Sequence, residues 1–195
     1  MAEIRSVCVF CGSSNSATQV YKDAAQKLGK ILGKNDVRLV YGGGQVGLMG
    51  TIANSALEAD GKVTGFIPQY LHEFEKGHTG ITELFIVDTM HERKRLMADH
   101  SDAFVILPGG FGTLDEICEI LTWKQLRLHY KPIVFVDVDK YWSPLFDTFV
   151  QHMIDKNFVH AEHKNFYVIV DDVDQVLPTL KGIPGAGPDF VNKWW

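Results

Sequence analysis

The chain of 195 residues has no long apolar run, no excess of basic side chains and only three cysteines. No run approaches the roughly 20 apolar residues that cross a membrane, and the opening residues MAEIR lack the layout of a signal peptide. A net charge of −5 argues against a nucleic-acid partner, because phosphate tracts bind basic surfaces. We therefore expect a cytoplasmic protein that binds neither membrane nor nucleic acid.

The cysteines do not form a recognisable functional pattern. Cys8 and Cys11 have the spacing of a redox pair, but side chains at i and i+3 of a strand point to opposite faces. We interpret them as buried thiols, since free cysteine packs as a small apolar residue. No Cys/His spacing resembles a zinc site, so the sequence predicts neither a metal nor a redox cofactor.

Short apolar runs alternate with longer segments of helical pattern along the chain. Helical connections between short apolar strands indicate right-handed crossovers and a parallel sheet. We predict one α/β domain over 1–181, a Rossmann-like doubly wound parallel sheet with helices on both faces, and a C-terminal tail over 182–195. The predicted strands are 5–10, 37–41, 62–67, 84–88, 103–108, 132–137 and 166–170, and the predicted helices are 17–34, 47–59, 90–100, 113–128, 143–156 and 172–180.

Three predicted strands end in a turn rich in glycine or serine that leads into a predicted helix. The turns are CGSSNS at 11–16, GGGQVGLMG at 42–50 and PGGFGTLDE at 108–116. Glycine lets the backbone approach a ligand, and the unpaired N–H groups at a helix start attract anions. Because parallel strands share one carboxyl edge, we predict a single phosphate-binding crevice. Its candidate residues are Gly12, Ser13, Gly43, Gly44, Gly109, Gly110 and Gly112.

The second turn also matches a dinucleotide-binding fingerprint, Gly42-x-Gly44-x-x-Gly47. That fingerprint needs an acidic residue at the end of the next strand to hold a ribose, but the strand at 62–67 ends in Ile67 and Pro68. No Gly-Lys-Ser/Thr follows the glycines, so a P-loop is absent. The sequence therefore disfavours NAD.

The third turn carries polar side chains into the helix that follows. Thr113 can cap that helix and offer a hydroxyl, and Glu116 can act either as a capping-box partner or as a catalytic carboxylate. Asp115 and Glu116 point about 100° apart on a helix. At most one of them therefore points squarely into the crevice.

The predicted helix over 90–100 presents a mixed face. Met90, Arg93, Lys94 and Met97 lie at i, i+3, i+4 and i+7, behind a possible N-cap at 88 or 89. The arginine is either solvated or placed over the crevice, where it would suit a bidentate grip on phosphate or carboxylate. Candidates to line a base pocket, with core packing as the alternative, are Met90, Met97 and Trp123.

Two segments break the alternation of strands and helices. The polar segment 68–80 predicts a loop beside the crevice, from which Glu75 is either solvated or in reach of a ligand. The tail ends in Trp194 and Trp195, a large apolar pair that would pack either on the body of the protein or on a partner.

These motifs together resemble the Lonely Guy (LOG) family of cytokinin riboside 5′-monophosphate phosphoribohydrolases, members of which are often labelled lysine decarboxylase. The resemblance covers almost the whole chain. It includes CVFCGSS at 8–14, YGGG at 41–44 with VGLMG at 46–50, MHERK at 90–94, and PGGFGTLDE at 108–116 with Thr122-Trp123.

The resemblance implies roles for individual residues. It implies that Arg93 and Glu116 are catalytic. Many relatives have two glutamates where this chain has Asp115 and Glu116. The shorter side chain of Asp115 could alter a contact with the ribose but should leave the main chemistry intact. The substrate-binding positions that it implies are Glu75, Lys94, Gly109, Gly110, Phe111, Gly112, Thr113, Leu114, Asp115 and Thr122.

The implied reaction is hydrolysis of the N-glycosidic bond of AMP or isopentenyladenosine monophosphate, which releases adenine or a cytokinin and ribose 5-phosphate. The resemblance also implies a homodimer or a larger homo-oligomer and no cofactor. The residues agree, because a carboxylate such as Glu116 stabilises an oxocarbenium-like state and positions water. The alternatives are a nucleotide carrier of the same fold and a decarboxylase, which would need pyridoxal phosphate on a lysine; no convincing lysine motif is present.

Overall fold

A computed structural model describes residues 3–73 and 77–183. Seven parallel strands form one sheet in the order β4-β3-β2-β1-β5-β6-β7. The central strand β1 pairs with both β2 and β5, with Val7 opposite Leu39 on one side and Ala103 on the other. The strands are β1 (Ser6–Phe10), β2 (Arg38–Tyr41), β3 (Val63–Pro68), β4 (Glu83–Val87), β5 (Ala103–Ile106), β6 (Ile133–Val136) and β7 (Val168–Val170).

Helices cover both faces of the sheet, as the sequence predicts for a doubly wound fold. On one face pack α1 (Gln19–Lys34), α2 (Gly47–Leu57) and α7 (Val176–Gly182). On the other face pack α4 (Met90–Asp99), α5 (Phe111–Gln125) and α6 (Ser143–Asp155), and a single turn, α3 (Gln69–Leu71), follows β3. Turns of 3-10 helix lie at Val138–Lys140, Ala161–Phe166 and Val173–Gln175.

The strands are apolar at consecutive positions because each of their faces is covered. In β5, Val105 belongs to the core under α1 and α2, and its neighbour Phe104 belongs to the core under α4 and α5. Cys8 and Cys11 are separated in the same way, one in each core, and both are free thiols. The alternation of side chains along a strand explains both pairs.

Most predicted elements are present, with shifted ends. Pro68 is the last residue of β3, paired with Val87, and not the start of a loop as predicted. The helix predicted over 172–180 divides into a 3-10 turn, at which Asp172 and Gln175 form a capping box, and α7. Within the described ranges no helix is long and apolar enough to cross a membrane. The predicted tail from residue 184 onward, with Trp194 and Trp195, lies outside the described residues.

Candidate active site

The turns that follow β1, β2 and β5 contact one another at the carboxyl edge of the sheet. The Gly12 N–H donates to the Pro108 carbonyl oxygen at 3.0 Å, and the Gly12 carbonyl oxygen accepts from the Leu48 N–H at 3.0 Å. Because β1 lies between β2 and β5, the turn after it reaches both of the others. The three turns therefore meet at the place where the sequence predicts the crevice.

Two glycines are required where these turns touch. Gly47 has a φ of 60°, donates its N–H to Asn15 Oδ1 at 2.9 Å, and would place a Cβ only 2.4 Å from the Ser13 carbonyl carbon. A Cβ on Gly109 would lie 2.1 Å from Thr113 Oγ1. These glycines therefore allow the turns to pack closely, in addition to any room they leave for a ligand.

The helix α5 begins without a side-chain cap. Gly110 is the N-cap residue, and its carbonyl oxygen accepts from the Leu114 N–H at 3.0 Å. The N–H groups of Phe111, Gly112 and Thr113 consequently have no partner within the helix. Phe111 is 92% exposed, and a Cβ on Gly110 or Gly112 would meet no atom within 4 Å in the part of the chain that the structure describes. The start of the helix is thus open to a ligand.

Thr113 does not cap α5, contrary to the prediction. It is the third residue of the helix and is buried under Gly109. Glu116 is the sixth residue and is not a capping-box partner. The two glycines before Phe111 allow the helix to begin two residues earlier than predicted, with a backbone cap in place of a side chain.

The arginine of the predicted mixed face reaches the crevice from the first turn of α4. Thr89 caps this helix, since its Oγ1 accepts from the Glu92 N–H at 3.1 Å. Arg93 is buried, and a Cβ on Gly42 would lie 1.7 Å from its Nη2 atom. The glycine that directly follows β2 therefore makes room for the guanidinium.

Arg93 and Glu116 face each other across α4 and α5. The Arg93 Nη2 atom lies 3.9 Å from Glu116 Oε1, and each side chain is only 9% exposed. The Arg93 Nη1 atom lies 3.5 Å from Met90 Sδ, and its buried Nε has no hydrogen-bond partner among the described residues. The guanidinium therefore keeps donor capacity for a further acceptor.

Burial raises the pKa of Glu116 from 4.5 to about 7, although the charge of Arg93 opposes this shift. The carboxyl group is therefore close to half-protonated near neutral pH, where it can give or take a proton. Burial raises the pKa values of Cys8 and Cys11 well above the ordinary range of thiols. The negative charge of Glu116 is the second-largest cause of this increase. These thiols stay protonated and are poor nucleophiles.

Lys94 is held by two carboxylates of α5. Its Nζ atom lies 2.9 Å from Asp115 Oδ2 and 3.2 Å from Glu119 Oε2. Burial lowers the pKa of Lys94, but its bonds to Asp115 and Glu119 outweigh this effect and raise the pKa. Two predicted binding residues, Lys94 and Asp115, are thus joined to each other, and they connect α4 to α5 next to Arg93 and Glu116.

Some predicted residues lie away from the Arg93–Glu116 pair. Leu114 and Thr122 line an apolar groove of about 430 Å³ between α5 and α6, where Thr122 Oγ1 donates to the Cys118 carbonyl oxygen at 2.7 Å. Phe149 and Leu145 leave large parts of their side chains exposed along this groove. The groove and the crevice are therefore lined by different residues, and α5 contributes to both.

The second turn is tied to the segment after the short helix α3. Gly43 has a φ of 74° and accepts the His78 N–H at 2.8 Å, and Gly44 forms a bridge with Gly77. Glu75, a predicted binding residue, lies outside the described residues. Met97, a candidate lining of the base pocket, is fully buried in the core beneath α4.

From the sequence, Gly42 is named only in the disfavoured dinucleotide fingerprint and the second turn, and Glu119 is not named. One feature of the sequence could have identified Gly42. It is the first residue after a buried strand, where a side chain from a neighbouring helix can enter. Glu119 lies four residues after Asp115 and so shares its helix face. Within residues 3–73 and 77–183, no group of three His, Cys, Asp or Glu side chains is placed to hold a metal ion.

Comparison with known proteins gives consistent matches along the chain. A family model described as "Possible lysine decarboxylase" matches residues 49–180. A cytokinin riboside 5′-monophosphate phosphoribohydrolase of Rhodococcoides fascians is 39% identical over 178 residues, which cover 91% of this chain and 89% of the relative. The enzyme LOG5 of Arabidopsis thaliana, with the same description, is 41% identical over 98% of this chain and 84% of its own.

Solved structures with the same fold are more distant in sequence. The molybdenum cofactor carrier protein of Chlamydomonas reinhardtii is 18% identical, with a TM-score of 0.70 over 92% of this chain and 97% of its own. The molybdenum cofactor binding protein of Rippkaea orientalis is 19% identical, with a TM-score of 0.69 over 94% of this chain and 99% of its own. At this identity the likeness concerns the fold alone.

Proposed function

From the premise that the chain belongs to the LOG family of cytokinin riboside 5′-monophosphate phosphoribohydrolases, we propose that it hydrolyses the N-glycosidic bond of adenosine 5′-monophosphates. The substrate is AMP or a form modified at N6, such as isopentenyladenosine monophosphate. The products are the free base and ribose 5-phosphate.

The buried pair of Arg93 and Glu116 carries this proposal. In the reaction the oxygen of water bonds to C1′ of the ribose, the C1′–N bond breaks, and a proton from water passes to the departing base. The sugar becomes oxocarbenium-like, which a nearby carboxylate stabilises while it orients the water. We assign this role to Glu116, and we assign to Arg93 the stabilisation of negative charge on the base.

The 5′-phosphate belongs at the turns. The N–H groups of Phe111, Gly112 and Thr113, which have no partner within α5, suit an anion, and the helix dipole adds positive potential there. The same crevice is bordered by the turn after β1, with Gly12 and Ser13, and by the turn after β2, with Gly43 and Gly44. Asp115 keeps more than half of its side chain exposed while it holds Lys94, so it has room for a ribose hydroxyl.

Two other functions fit these residues less well. A nucleotide carrier with this fold would not require Arg93 and Glu116 to be buried side by side. A pyridoxal-dependent decarboxylase needs a lysine amine that can lose its proton and form a Schiff base. The buried Lys94 is unsuited to this, because Asp115 and Glu119 raise its pKa.

We also propose that the protein is a cytoplasmic homodimer or a larger homo-oligomer that binds neither nucleic acid nor membrane. The free thiols of Cys8, Cys11 and Cys118 suit a reducing compartment. The apolar groove between α5 and α6, with the exposed side chain of Phe149, supports a contact between copies. Light scattering on the purified protein gives the mass; a monomer at micromolar concentration contradicts the proposed oligomer.

The test of the activity compares AMP with adenosine and isopentenyladenosine monophosphate with isopentenyladenosine. We expect release of ribose 5-phosphate from the monophosphates and a specificity constant at least about a hundredfold lower for the nucleosides. The reason is that each lost hydrogen bond to a charged group is worth about 1.5–3 kcal/mol. Comparable rates within either pair would show that the turns do not bind the phosphate.

A matched variant separates catalysis from binding. Glu116→Gln keeps the size of the side chain but cannot carry the charge, so we expect AMP to bind while turnover falls by about a thousandfold or more. Glu58→Gln, which changes an exposed carboxylate at the end of α2, serves as the control. A wild-type protein that binds AMP and never releases a product would be a carrier.

A further inference from the structure

A tyrosine from outside the three turns is bonded to the third of them. Tyr141 follows β6, and its hydroxyl donates to the Gly109 carbonyl oxygen at 2.7 Å. The strands β5 and β6 are neighbours in the sheet, so the connection after β6 lies beside the turn after β5. The Tyr141 hydroxyl therefore contacts the backbone of the turn that we assign to the phosphate.

The ring of Tyr141 is held in place from several sides. Asp139 and Lys140, directly before it, both have left-handed backbone conformations, with φ values of 52° and 55°. Residues other than glycine rarely adopt this conformation, which is kept only where the surroundings require it. Tyr21 packs edge-on against the ring at 5.6 Å between centroids, and Trp142 does so at 4.9 Å. The hydroxyl is thus presented to Gly109 by a defined local structure.

This contact helps to orient the peptide group between Gly109 and Gly110. Gly109 and Gly110 are adjacent glycines, whose backbone angles are the least constrained of any residue. In a trans peptide the carbonyl of one residue and the N–H of the next point in opposite directions. A carbonyl of Gly109 directed at Tyr141 therefore directs the N–H of Gly110 away from Tyr141. Among residues 3–73 and 77–183, no atom would lie within 4 Å of a Cβ on Gly110.

We propose that Tyr141 is a positioning residue for the 5′-phosphate, because its hydroxyl holds the Gly109–Gly110 peptide with the Gly110 N–H toward the phosphate. The inference rests on the proposed function, since it needs the turn to bind a phosphate. Tyr141 itself touches neither the reacting bond nor Arg93 and Glu116 in this assignment. Its loss therefore weakens phosphate binding and leaves the chemical step intact.

The test is Tyr141→Phe, which removes one oxygen atom and keeps the ring. We expect the KM for AMP and the inhibition constant for ribose 5-phosphate to rise together by about two- to tenfold, the range of one hydrogen bond. We expect kcat and its pH profile to change by less than about twofold. The inhibition constant for free adenine should stay at the wild-type value, because adenine carries no phosphate.

Tyr130→Phe is the matched control, because Tyr130 is 36% exposed and Tyr141 is 37% exposed. A second variant, Tyr21→Leu, removes the ring that packs against Tyr141 and should raise the same two constants by a smaller factor. It also keeps the proposal testable if Tyr141→Phe folds poorly.

The outcomes distinguish this proposal from the proposed function. If wild-type protein neither releases ribose 5-phosphate from AMP nor is inhibited by it, the proposed function fails and this inference fails with it. If wild-type protein is active and Tyr141→Phe leaves both phosphate-dependent constants unchanged, only the role of Tyr141 is wrong. Equal weakening of adenine and ribose 5-phosphate would mean that the tyrosine supports the fold in general, which also overturns the proposal.

Discussion

At the scale of single residues, the missing side chain of Gly42 makes room for the guanidinium of Arg93. A Cβ at this position would lie 1.7 Å from Nη2, so an alanine and the present position of Arg93 exclude each other. The guanidinium would have to move away from residue 42, and so from its place beside Glu116. The identity of residue 42 is therefore tied to a side chain 51 positions away in the sequence.

We predict that Gly42→Ala lowers kcat/KM for AMP by about a hundredfold or more, because a misplacement of about 1 Å has effects of this size. The free energy of unfolding should fall by about 1–3 kcal/mol, the usual cost of overpacking. Enzyme assays and urea unfolding measure the two effects. Gly182→Ala is the control, since a Cβ there meets no atom of the described residues within 4 Å. Near-normal activity of Gly42→Ala would remove the reason for placing Arg93 in the mechanism.

Glu116 makes stability depend on pH. Its pKa is raised from 4.5 to about 7 by burial, so between these values the folded protein holds a proton that the unfolded chain has released. The contribution of this residue to the free energy of unfolding therefore falls as pH rises through that window. Above it, the buried charge costs on the order of 3 kcal/mol.

We predict that Glu116→Gln gains stability relative to the wild type as pH rises from 5 to 8, by up to about 3 kcal/mol. The glutamine carries no charge, so it avoids the cost that the carboxylate meets at high pH. Urea unfolding at pH 5, 6, 7 and 8 measures the difference, with Glu58→Gln as the control. A difference that is constant across this range would mean that Glu116 does not titrate there.

At the scale of elements, α4 and α5 are joined by the ion pairs of Lys94 with Asp115 and Glu119. Each of these helices also carries one member of the proposed catalytic pair. The relative position of the two helices therefore sets the 3.9 Å separation of Arg93 and Glu116. The ion pairs of Lys94 take no part in the reaction, but they can affect its rate because they help to set this separation.

We predict that Glu119→Gln lowers the free energy of unfolding by about 1–3 kcal/mol, because it weakens the pairing of a buried ammonium group. It should also lower kcat, as α4 and α5 adjust. Asp174→Asn is the control, since its ion pair with Lys27 is exposed and worth less than about 1 kcal/mol. Equal destabilisation by the two variants would show that burial of Lys94 adds nothing.

Some of these elements follow from the sequence and others do not. Apolar runs such as 103–107 locate the strands well, because a strand buried on both faces needs apolar residues throughout. The start of α5 is predicted two residues late, since its cap is the backbone of Gly110 and not a side chain. The pairing of Lys94 with Glu119 depends on the distance between two helices, which local pattern does not contain.

At the scale of the whole molecule, the strand order places the crevice between two halves of the sheet. The chain forms β1 to β4 outward in one direction, and α4 returns it to the other side of β1, where β5 begins the second half. Ligands bind at such a reversal in open α/β sheets. The sequence predicts the layers but not the strand that follows the reversal, because every central strand has a similar apolar composition.

The central place of β1 has a consequence for the timing of synthesis. Its partner β2 ends at Tyr41, but its other partner β5 begins only at Ala103. At about 5–20 residues per second, the ribosome needs roughly 3 to 12 seconds to make the intervening stretch. During that interval the edge of β1 that later pairs with β5 has no partner, so it is exposed to pairing with a chaperone or a neighbouring nascent chain.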